Sequence, residues 1–353
     1  MIIKTNYKEI FSLDKAIINE LDPHVNDILE FWKSERAFLI VNTSGSTGNP
    51  KPIKLKREHI INSANATLDF FELSKGSSFL CCMPSKYIGG IMMLIRAIVN
   101  EGVMFLERPS RYPIQKLNEK IDLCAMTTAQ TRNTIRQPKR MEFIRNLIIG
   151  GGSLTLKDDF NLNELKTSCY HSFGMTETIS HIALRPIKSG MKNEYYKCLN
   201  HVKISNNKKN QLVISSKKLG IKSITTNDIV EITENQVFKL IGRMDNIINS
   251  GGLKIHSEQI EKTVSQHLNP SQFFIDKEPH EEMGEICIMI CLESIDEKSI
   301  SEATSLIRDK KQAPKKVYWV EKIHFNSNYK MDRIKTRQEA FLVNNSKSLS
   351  SLI

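Results

Sequence analysis

The stretch Thr43-Ser44-Gly45-Ser46-Thr47-Gly48-Asn49-Pro50-Lys51 contains four hydroxyl groups, two glycines and one lysine within nine residues. Glycines let backbone N–H groups approach an anion, hydroxyls donate hydrogen bonds, and the ammonium group adds positive charge, so this composition suits a polyphosphate. The stretch follows the apolar run 38–41, which predicts a short buried strand. It does not fit the pattern G-x-x-x-x-G-K-[ST] of the common nucleotide loop. Because turn chemistry favours the same residue types, a surface loop is the alternative.

The composition is that of an ordinary folded protein: 353 residues, of which 40% are hydrophobic and 25% charged. This length predicts two domains with a substantial core. The formal net charge of +11 raises the question of nucleic-acid binding. Basic residues alternate with acidic ones, however, and we find no arginine-rich helix, RNA-binding aromatic motif or zinc module. A basic surface attracts phosphorylated small molecules equally well, so we expect no nucleic-acid partner.

Several features bear on the compartment. The N-terminus has no apolar signal segment, and the most apolar long stretch, residues 87–106, is interrupted by Arg96, so we expect no membrane span. The seven cysteines lack metal-ligand spacing. Cys81, Cys82 and Cys169 lie in apolar runs, which is typical of reduced core cysteines. Together these features predict a cytoplasmic protein.

The first two thirds of the chain alternates helical patterns with short apolar runs. Val25, Ile28, Leu29 and Trp32 follow helical spacing, and strand-like runs cover residues 79–83, 103–106, 122–126, 147–149 and 169–173. This alternation predicts an α/β domain with a mostly parallel, helix-covered sheet that binds ligands at the carboxyl ends of its strands.

The pattern of predicted secondary structure changes towards the C-terminus. Short alternating strands begin near residue 203, and a smaller α+β unit follows Asp245, with helices near 257–267 and 300–308 and strands at 286–291 and 317–320. We predict a large domain over 1–244 and a small one over 245–353. The serine-rich residues 344–353 are expected to form a loose tail.

Three further motifs accompany the first one. Gly150-Gly151-Gly152 and Ser172-Phe173-Gly174-Met175-Thr176-Glu177 each follow a predicted strand, and Gly242-Arg243-Met244-Asp245 precedes Gly251-Gly252 at this change of pattern. Consecutive glycines let the backbone pass closely over a flat ligand. A ring, a hydroxyl and a carboxylate suit a base, a phosphate and a metal ion. Taken singly, each motif is equally compatible with an ordinary turn, loop or linker.

In order and spacing, these motifs resemble those of the adenylate-forming (AMP-binding) acyl-CoA ligase superfamily, over about residues 38–333. The resemblance implies an enzyme that uses ATP and Mg²⁺ to activate a carboxylic acid as an acyl-adenylate and transfers the acyl group to coenzyme A. It also implies a large N-terminal domain, here N-terminally shortened, and a small mobile C-terminal lid domain that carries a catalytic lysine.

The resemblance assigns roles position by position. The loop for the ATP phosphates would comprise Thr43, Ser44, Gly45, Ser46, Thr47, Gly48 and Lys51. The adenine and ribose would contact Gly151, Gly152, Ser172, Phe173, Gly174, Asp228 and Arg243. Thr176 would contact the α-phosphate, and Glu177 would be the magnesium ligand. Asp245 would be the hinge between the domains, and Gly252 would lie on the path of coenzyme A.

The catalytic lysine is assigned to Lys330, within Asn328-Tyr329-Lys330-Met331-Asp332-Arg333. Members of the superfamily usually have glycine before this lysine, and this chain has Tyr329. Losing the glycine makes positive φ less accessible there, which puts the usual loop conformation in doubt. Lys335 is the alternative, and a solvated basic run is the structural interpretation.

Two segments resemble one subgroup of this superfamily and thereby indicate which carboxylic acid is activated. Met83-Pro84-Ser85-Lys86-Tyr87-Ile88-Gly89-Gly90 and residues 174–185 are similar to segments of the o-succinylbenzoate–CoA ligases of menaquinone biosynthesis. Their substrate has a second carboxylate and a ketone, so polar or cationic groups are expected around it. Tyr87, Ser180, His181 and Arg185 are the acyl-pocket candidates. Roles in packing or at the surface remain open for His181 and Arg185.

The phosphate loop arrives unusually early, at Thr43, so much of the usual N-terminal subdomain is expected to be missing. A partner subunit would compensate in a homodimer. Three alternatives remain open: a ligase for another aryl or fatty acid, an enzyme that loads a carrier protein, and a catalytically degenerate nucleotide-binding protein.

Overall fold

The computed structural model describes residues 1–42, 51–187, 194–234, 236–325 and 331–349. Its helices are α1 Lys15–Leu21, α2 His24–Lys33, α3 Arg57–Phe70, α4 Ile88–Val99, α5 Thr128–Thr134, α6 Pro138–Met141, α7 Leu156–Asn163, α8 Ser257–Val264, α9 Glu297–Ser305 and α10 Arg333–Val343. The strands up to the change of pattern are β1 Ile2–Asn6, β2 Phe38–Asn42, β3 Pro52–Lys56, β4 Ser78–Cys81, β5 Val103–Glu107, β6 Ile121–Thr127, β7 Ile144–Gly150, β8 Ser168–Gly174, β9 His181–Ile187 and β10 Tyr195–Cys198. Those beyond it are β11 Lys203–Asn206, β12 Gln211–Ser216, β13 Ile221–Ile232, β14 Val237–Arg243, β15 Ile247–Ser250, β16 Leu253–His256, β17 Phe273–His280, β18 Gly284–Leu292, β19 Lys316–Val320 and β20 Ser346–Ser348.

The larger sheet has 12 strands in the order β1-β5-β4-β6-β7-β8-β9-β10-β14-β13-β12-β11. Strands β5, β4, β6, β7 and β8 pair in parallel, whereas β1 and every strand from β9 onward pair antiparallel with their neighbours. Helices connect several of the parallel strands, and short turns suffice for hairpin partners. The predicted α/β class is confirmed, but the described sheet is not mostly parallel. Its four parallel pairings join the second to the sixth strand of the order, where helices connect the strands, and its other seven pairings are antiparallel.

The helices that pack on this sheet show the burial expected from their sequences. Helix α4 is apolar almost all round, and its residues from Gly90 to Ile98 are buried, which is typical of a helix enclosed on all sides. In α2, Val25, Ile28 and Leu29 are buried as their spacing predicts. The strand runs predicted at 79–83, 103–106, 122–126, 147–149 and 169–173 correspond to β4 to β8. These elements bring the carboxyl ends of the parallel strands to one edge of the sheet.

Residues 38–41 form a strand as predicted, but the prediction that this strand is buried is wrong. Strand β2 forms a separate two-stranded antiparallel sheet with β3, outside the large sheet. Phe38 is 45% and Ile40 63% exposed, whereas Val41 and Leu55 are buried. A hairpin with alternating side chains packs only one face against the protein, so the other face remains in solvent.

The second large sheet lies in the C-terminal part, in the order β16-β15-β18-β19-β20 with β17 paired to β18. Strands β18 and β19 are parallel and are connected through α9. The loose tail predicted from residue 344 is wrong in part, because Ser346–Ser348 pair with β19 and Leu349 is buried. Within the described ranges, no helix is long and apolar enough to cross a membrane.

Candidate active site

The glycine run and the Ser172–Glu177 motif lie side by side because β7 and β8 are neighbouring parallel strands. Ile149 is paired with His171, and these two residues directly precede Gly150 and Ser172, where the two motifs begin. The hydroxyl of Ser172 donates a hydrogen bond to the carbonyl oxygen of Ile149 at 2.9 Å. Gly151 and Gly152 are exposed at this edge. The segments assigned to the adenine are therefore adjacent in space.

The segment after β8 turns sharply through the 3-10 helix Thr176–Thr178. Thr176 is buried and Glu177 is exposed. The fully buried hydroxyl of Thr178 accepts from the backbone N–H of Met175 at 3.0 Å and lies 2.8 Å from the carbonyl oxygen of Ser180. Ile179 follows with φ of 68°, a sterically unfavourable conformation for a β-branched residue. Strain of this kind persists where surrounding contacts enforce it and is common at functional sites.

A second group lies where Asp228, within β13, pairs with Arg243 at the end of β14. Asp228 and Arg243 are paired across these strands, and the Arg243 guanidinium lies 3.3 Å from Asp228 and 2.8 Å from Asp245. Asn227 donates to the other carboxylate oxygen of Asp245 at 2.9 Å. Burial raises the pKa of Asp228, and Arg243 opposes this effect. Three residues assigned to the ribose and the hinge thus form one hydrogen-bonded cluster.

Phe173 connects the two groups through strand β14. Its ring packs edge-on against Phe238 at a centroid distance of 5.2 Å, and Phe238 and Arg243 belong to the same strand. Gly174 follows on the exposed side, where a Cβ atom would lie 2.4 Å from the carbonyl oxygen of Ser180. No larger residue fits at this close approach of β8 to the turn.

The acyl-pocket candidates separate in the structure. Tyr87 caps the N-terminus of α4. Ser180 Oγ accepts a hydrogen bond from Arg96 Nη2 at 2.5 Å, and His181 Nε2 lies 3.3 Å from Thr67 Oγ1. Arg185 instead forms a two-point ion pair with Asp159 of α7, at 2.9 and 3.0 Å. This geometry favours the packing interpretation for Arg185.

Arg96 is the functional candidate that the sequence reasoning missed. It lies in the middle of the apolar helix α4 and is 2% exposed. Within the described part of the chain its Nε has no hydrogen-bond partner. Burial lowers the pKa of Arg96 to about 9. A charged residue inside an otherwise apolar helix was the available signal.

Arg96 also affects His181. Burial lowers the pKa of His181 well below its usual value, and the positive charge of Arg96 and the nearby His201 lower it further. His181 is therefore neutral at physiological pH. We call Arg96, Ser180 and His181 the basic cluster; in the described part of the chain, the Nε of Arg96 is its buried donor without a hydrogen-bond partner.

Comparison with known proteins defines the family. The model of the family described as AMP-binding enzyme matches residues 8–211, more than half of the chain. The chain belongs to this family. The 2-succinylbenzoate–CoA ligase of Listeria monocytogenes serotype 4b (strain F2365) is 24% identical over 349 residues, covering 92% of this chain and 74% of the relative.

Solved structures support the same fold for this AMP-binding enzyme. A crystal structure of an acyl-CoA synthetase (AMP-forming)/AMP-acid ligase II-like protein from Dyadobacter fermentans is 28% identical, with a TM-score of 0.65, and the match covers 96% of this chain and all of that one. The o-succinylbenzoate coenzyme A synthetase from Bacillus subtilis, in complex with ATP and magnesium ion, is 18% identical with a TM-score of 0.73. That match covers 84% of this chain and 69% of the other.

Some assigned residues lie outside the described ranges of this AMP-binding enzyme. They are Thr43, Ser44, Gly45, Ser46, Thr47, Gly48, Tyr329 and Lys330. Lys51 is exposed, and Asn42 pairs with Pro52, so the ends of β2 and β3 flank the predicted phosphate loop.

Gly252 lies at the tip of a hairpin rather than in a plain linker. Gly251 and Gly252 have φ of 53° and 84°, between the paired residues Ser250 and Leu253. Two consecutive positive φ values are the requirement of a type I′ turn, and glycine meets it without steric cost. The role of Gly252 towards coenzyme A stays a prediction.

Proposed function

We propose that this enzyme activates o-succinylbenzoate with ATP as an acyl-adenylate and transfers the acyl group to coenzyme A, a step of menaquinone biosynthesis. Membership of the AMP-binding family supports the reaction class, and the names of the Listeria and Bacillus proteins support the acid. The observation that carries the substrate assignment is the basic cluster. It is a buried arginine next to a hydroxyl and a neutral imidazole.

The cluster fits an acid with a second carboxylate. A buried guanidinium with a free Nε is costly unless an anion approaches it, because burial disfavours its charge. A carboxylate there would accept charge-assisted hydrogen bonds from Arg96, and Ser180 would remain within reach. A simple fatty acid has no group for this position. We therefore expect discrimination in favour of dicarboxylic aryl acids.

The adenylation step joins two anions, and its catalysis rests on positioning and charge neutralisation. Glu177 is exposed and forms no ion pair or side-chain hydrogen bond with any residue in the described ranges. No group of three or more potential metal ligands occurs there either. One carboxylate together with substrate phosphates is a common way to bind Mg²⁺, so Glu177 fits that ion. Bound Mg²⁺ would neutralise charge on the phosphates.

The roles of the other site residues are those that the resemblance to the superfamily implies. Thr176 would donate to the α-phosphate, Asp228 would accept from the ribose hydroxyls with Arg243 beside it, and Lys330 would neutralise charge as the adenylate forms. We also propose a domain boundary after residue 244, with Asp245 as the hinge. Rotation there would remove the lysine and admit the thiol of coenzyme A. A homodimer stays a prediction.

The test is an assay of the purified protein with ATP, Mg²⁺, coenzyme A and o-succinylbenzoate, which should release AMP and pyrophosphate. Turnover with other acids but not with o-succinylbenzoate would refute the proposed substrate, whereas the proposed reaction class would still hold. Turnover only when a carrier protein replaces coenzyme A would change the acceptor.

The variant Lys330→Ala separates an enzyme from a nucleotide binder. It should lose adenylation and retain ATP binding. A wild-type protein that binds ATP without forming pyrophosphate with any acid would refute the proposed activity.

A further inference from the structure

Two neighbouring carbonyl groups of the glycine-rich segment receive hydrogen bonds from side chains of other elements. His171 Nε2, on β8, lies 2.8 Å from the carbonyl oxygen of Gly152. Arg132 Nη2, on α5, donates to the carbonyl oxygen of Ser153 at 3.0 Å. We call residues 150–153 the glycine loop. Its backbone direction is set by contacts from two sides.

These contacts define the tautomer of His171. A carbonyl oxygen only accepts, so Nε2 carries the proton and Nδ1 accepts from the hydroxyl of Tyr196 at 2.5 Å. Burial, followed by the charge of Arg185, lowers the pKa of His171 to about 4. The imidazole is therefore neutral at physiological pH, with one ring nitrogen a donor and the other an acceptor.

Tyr196 is itself held in place. It hydrogen-bonds to Arg185, whose guanidinium is fixed by the ion pair with Asp159 of α7. Its ring stacks on Phe238 at 5.4 Å. The chain of contacts from Asp159 to Gly152 therefore lies in buried or half-buried surroundings, and the loop is at its exposed end.

Three of the four residues of the glycine loop are glycines, which have no side chain that could fix the backbone. Gly151 has φ of 80°, a conformation that L side chains rarely adopt. A Cβ atom on Gly152 would lie 2.6 Å from Thr128 Oγ1. Gly151, Gly152 and Ser153 are all exposed. Because packing covers so little of the loop, its conformation depends on the hydrogen bonds to its carbonyl groups.

We propose that His171, oriented by Tyr196, is a positioning residue that holds the glycine loop in the conformation that receives the adenine of ATP. This inference rests on the proposed function, which places the loop at the nucleotide. The pair acts through Gly152 and does not itself contact the reacting groups. Its loss should weaken the binding of adenine nucleotides and leave the binding of the carboxylic acid unchanged.

The experiment uses full-length His171→Leu, His171→Gln and Tyr196→Phe. Leucine removes the donor, glutamine keeps an N–H donor for the Gly152 carbonyl, and phenylalanine removes the hydroxyl that orients the imidazole. Tyr170→Phe is the matched control, since its ring packs against Phe71 on the other side of β8. For each protein we would measure the KM for ATP and for the acid, kcat, the Kd for AMP by calorimetry, and Tm.

We expect Tyr196→Phe and His171→Leu to raise the Kd for AMP and the KM for ATP about 3- to 10-fold, the worth of one or two neutral hydrogen bonds. The KM for the acid should stay within about 2-fold of wild type, by the same reasoning. His171→Gln should restore most of the affinity, and Tyr170→Phe should match wild type. If His171→Leu fails to fold, Tyr196→Phe and His171→Gln still decide.

Unchanged AMP affinity in Tyr196→Phe would overturn the inference, as would equal losses for ATP and the acid, which would indicate a general structural role. Failure of the proposed function gives a different result. In that case the wild-type protein itself would neither bind AMP nor form pyrophosphate from ATP.

Discussion

Replacing Arg96 with methionine should make the ligand-free protein more stable and the enzyme much poorer. The side chain is 2% exposed, its Nη2 donates to Ser180 Oγ at 2.5 Å and its Nη1 lies 3.7 Å from Met93 Sδ, whereas its Nε has no partner in the described ranges. Burial lowers the pKa of this guanidinium to about 9, which corresponds to a penalty on the order of 5 kcal/mol against its charged form. Methionine is of similar length, flexible and uncharged, so it can fill the same space.

The net gain in stability is smaller than that penalty, because the hydrogen bond to Ser180 is lost as well. Replacing buried charges by apolar groups of similar volume stabilises proteins by about 1–4 kcal/mol, and we expect Arg96→Met to fall in this range. The folded-state pKa is lower than the unfolded value, so the unfolded chain binds more protons. The difference in stability between the two proteins should therefore shrink as pH rises above about 9.

The assays are urea unfolding at pH 7.5 and at pH 10, and the KM for o-succinylbenzoate in pyrophosphate exchange. Loss of a buried contact with a carboxylate should raise this KM about 10²- to 10³-fold, with the KM for ATP nearly unchanged. Arg145→Met is the matched control because the Arg145 side chain is 70% exposed, and its stability should change by less than about 0.5 kcal/mol. A destabilised Arg96→Met with a normal KM for the acid would refute the reasoning.

Three further predictions concern the 3-10 helix Thr176–Thr178 and the cluster of Asp228, Arg243 and Asp245. Glu177→Gln should lower kcat about 10²-fold and raise the Mg²⁺ concentration needed for half-maximal rate, whereas an unchanged Mg²⁺ titration would remove Glu177 from the metal site. Thr178→Val leaves the buried N–H of Met175 unpaired and should cost about 1–3 kcal/mol in urea unfolding, with Thr178→Ser close to wild type as its control. Burial raises the pKa of Asp228 above 3.8, so binding that needs its carboxylate should weaken as pH falls towards that raised pKa; Asp228→Asn should abolish this dependence of the KM for ATP, and a persisting dependence would point to another group.

The sequence located most secondary-structure elements well where periodicity was strong. Strands β4 to β8 and helix α2 lie where their apolar patterns predict, because burial of one face or of a whole strand leaves a local signature. The hairpin strand β2 had a similar pattern and a different environment. Its apolar residues Phe38 and Ile40 are exposed, which depends on how the strand packs in the fold and not on its own sequence.

Some functional residues were also predictable from the sequence, whereas others were not. The motifs around Gly151, Thr176 and Asp228 were found from order and spacing, since close backbone approach and phosphate contact need particular residue types at adjacent positions. Arg96 was not found, although its charge within an apolar helix was visible. Its relevance depends on the packing of α4 next to Ser180, 84 residues later in the chain.

The sequence by itself determined the order of the elements, the motif set and the reaction class, because these reside in local patterns of glycines, hydroxyls and apolar spacing. Only the tertiary structure decided which polar side chains meet. It paired Arg185 with Asp159, placed Arg96 against the hydroxyl of Ser180, and connected Gly152 to Tyr196 through His171. Such partnerships join segments that are distant in the sequence, and burial makes an unpaired polar group costly, so the partners are decided by packing and not by the local sequence.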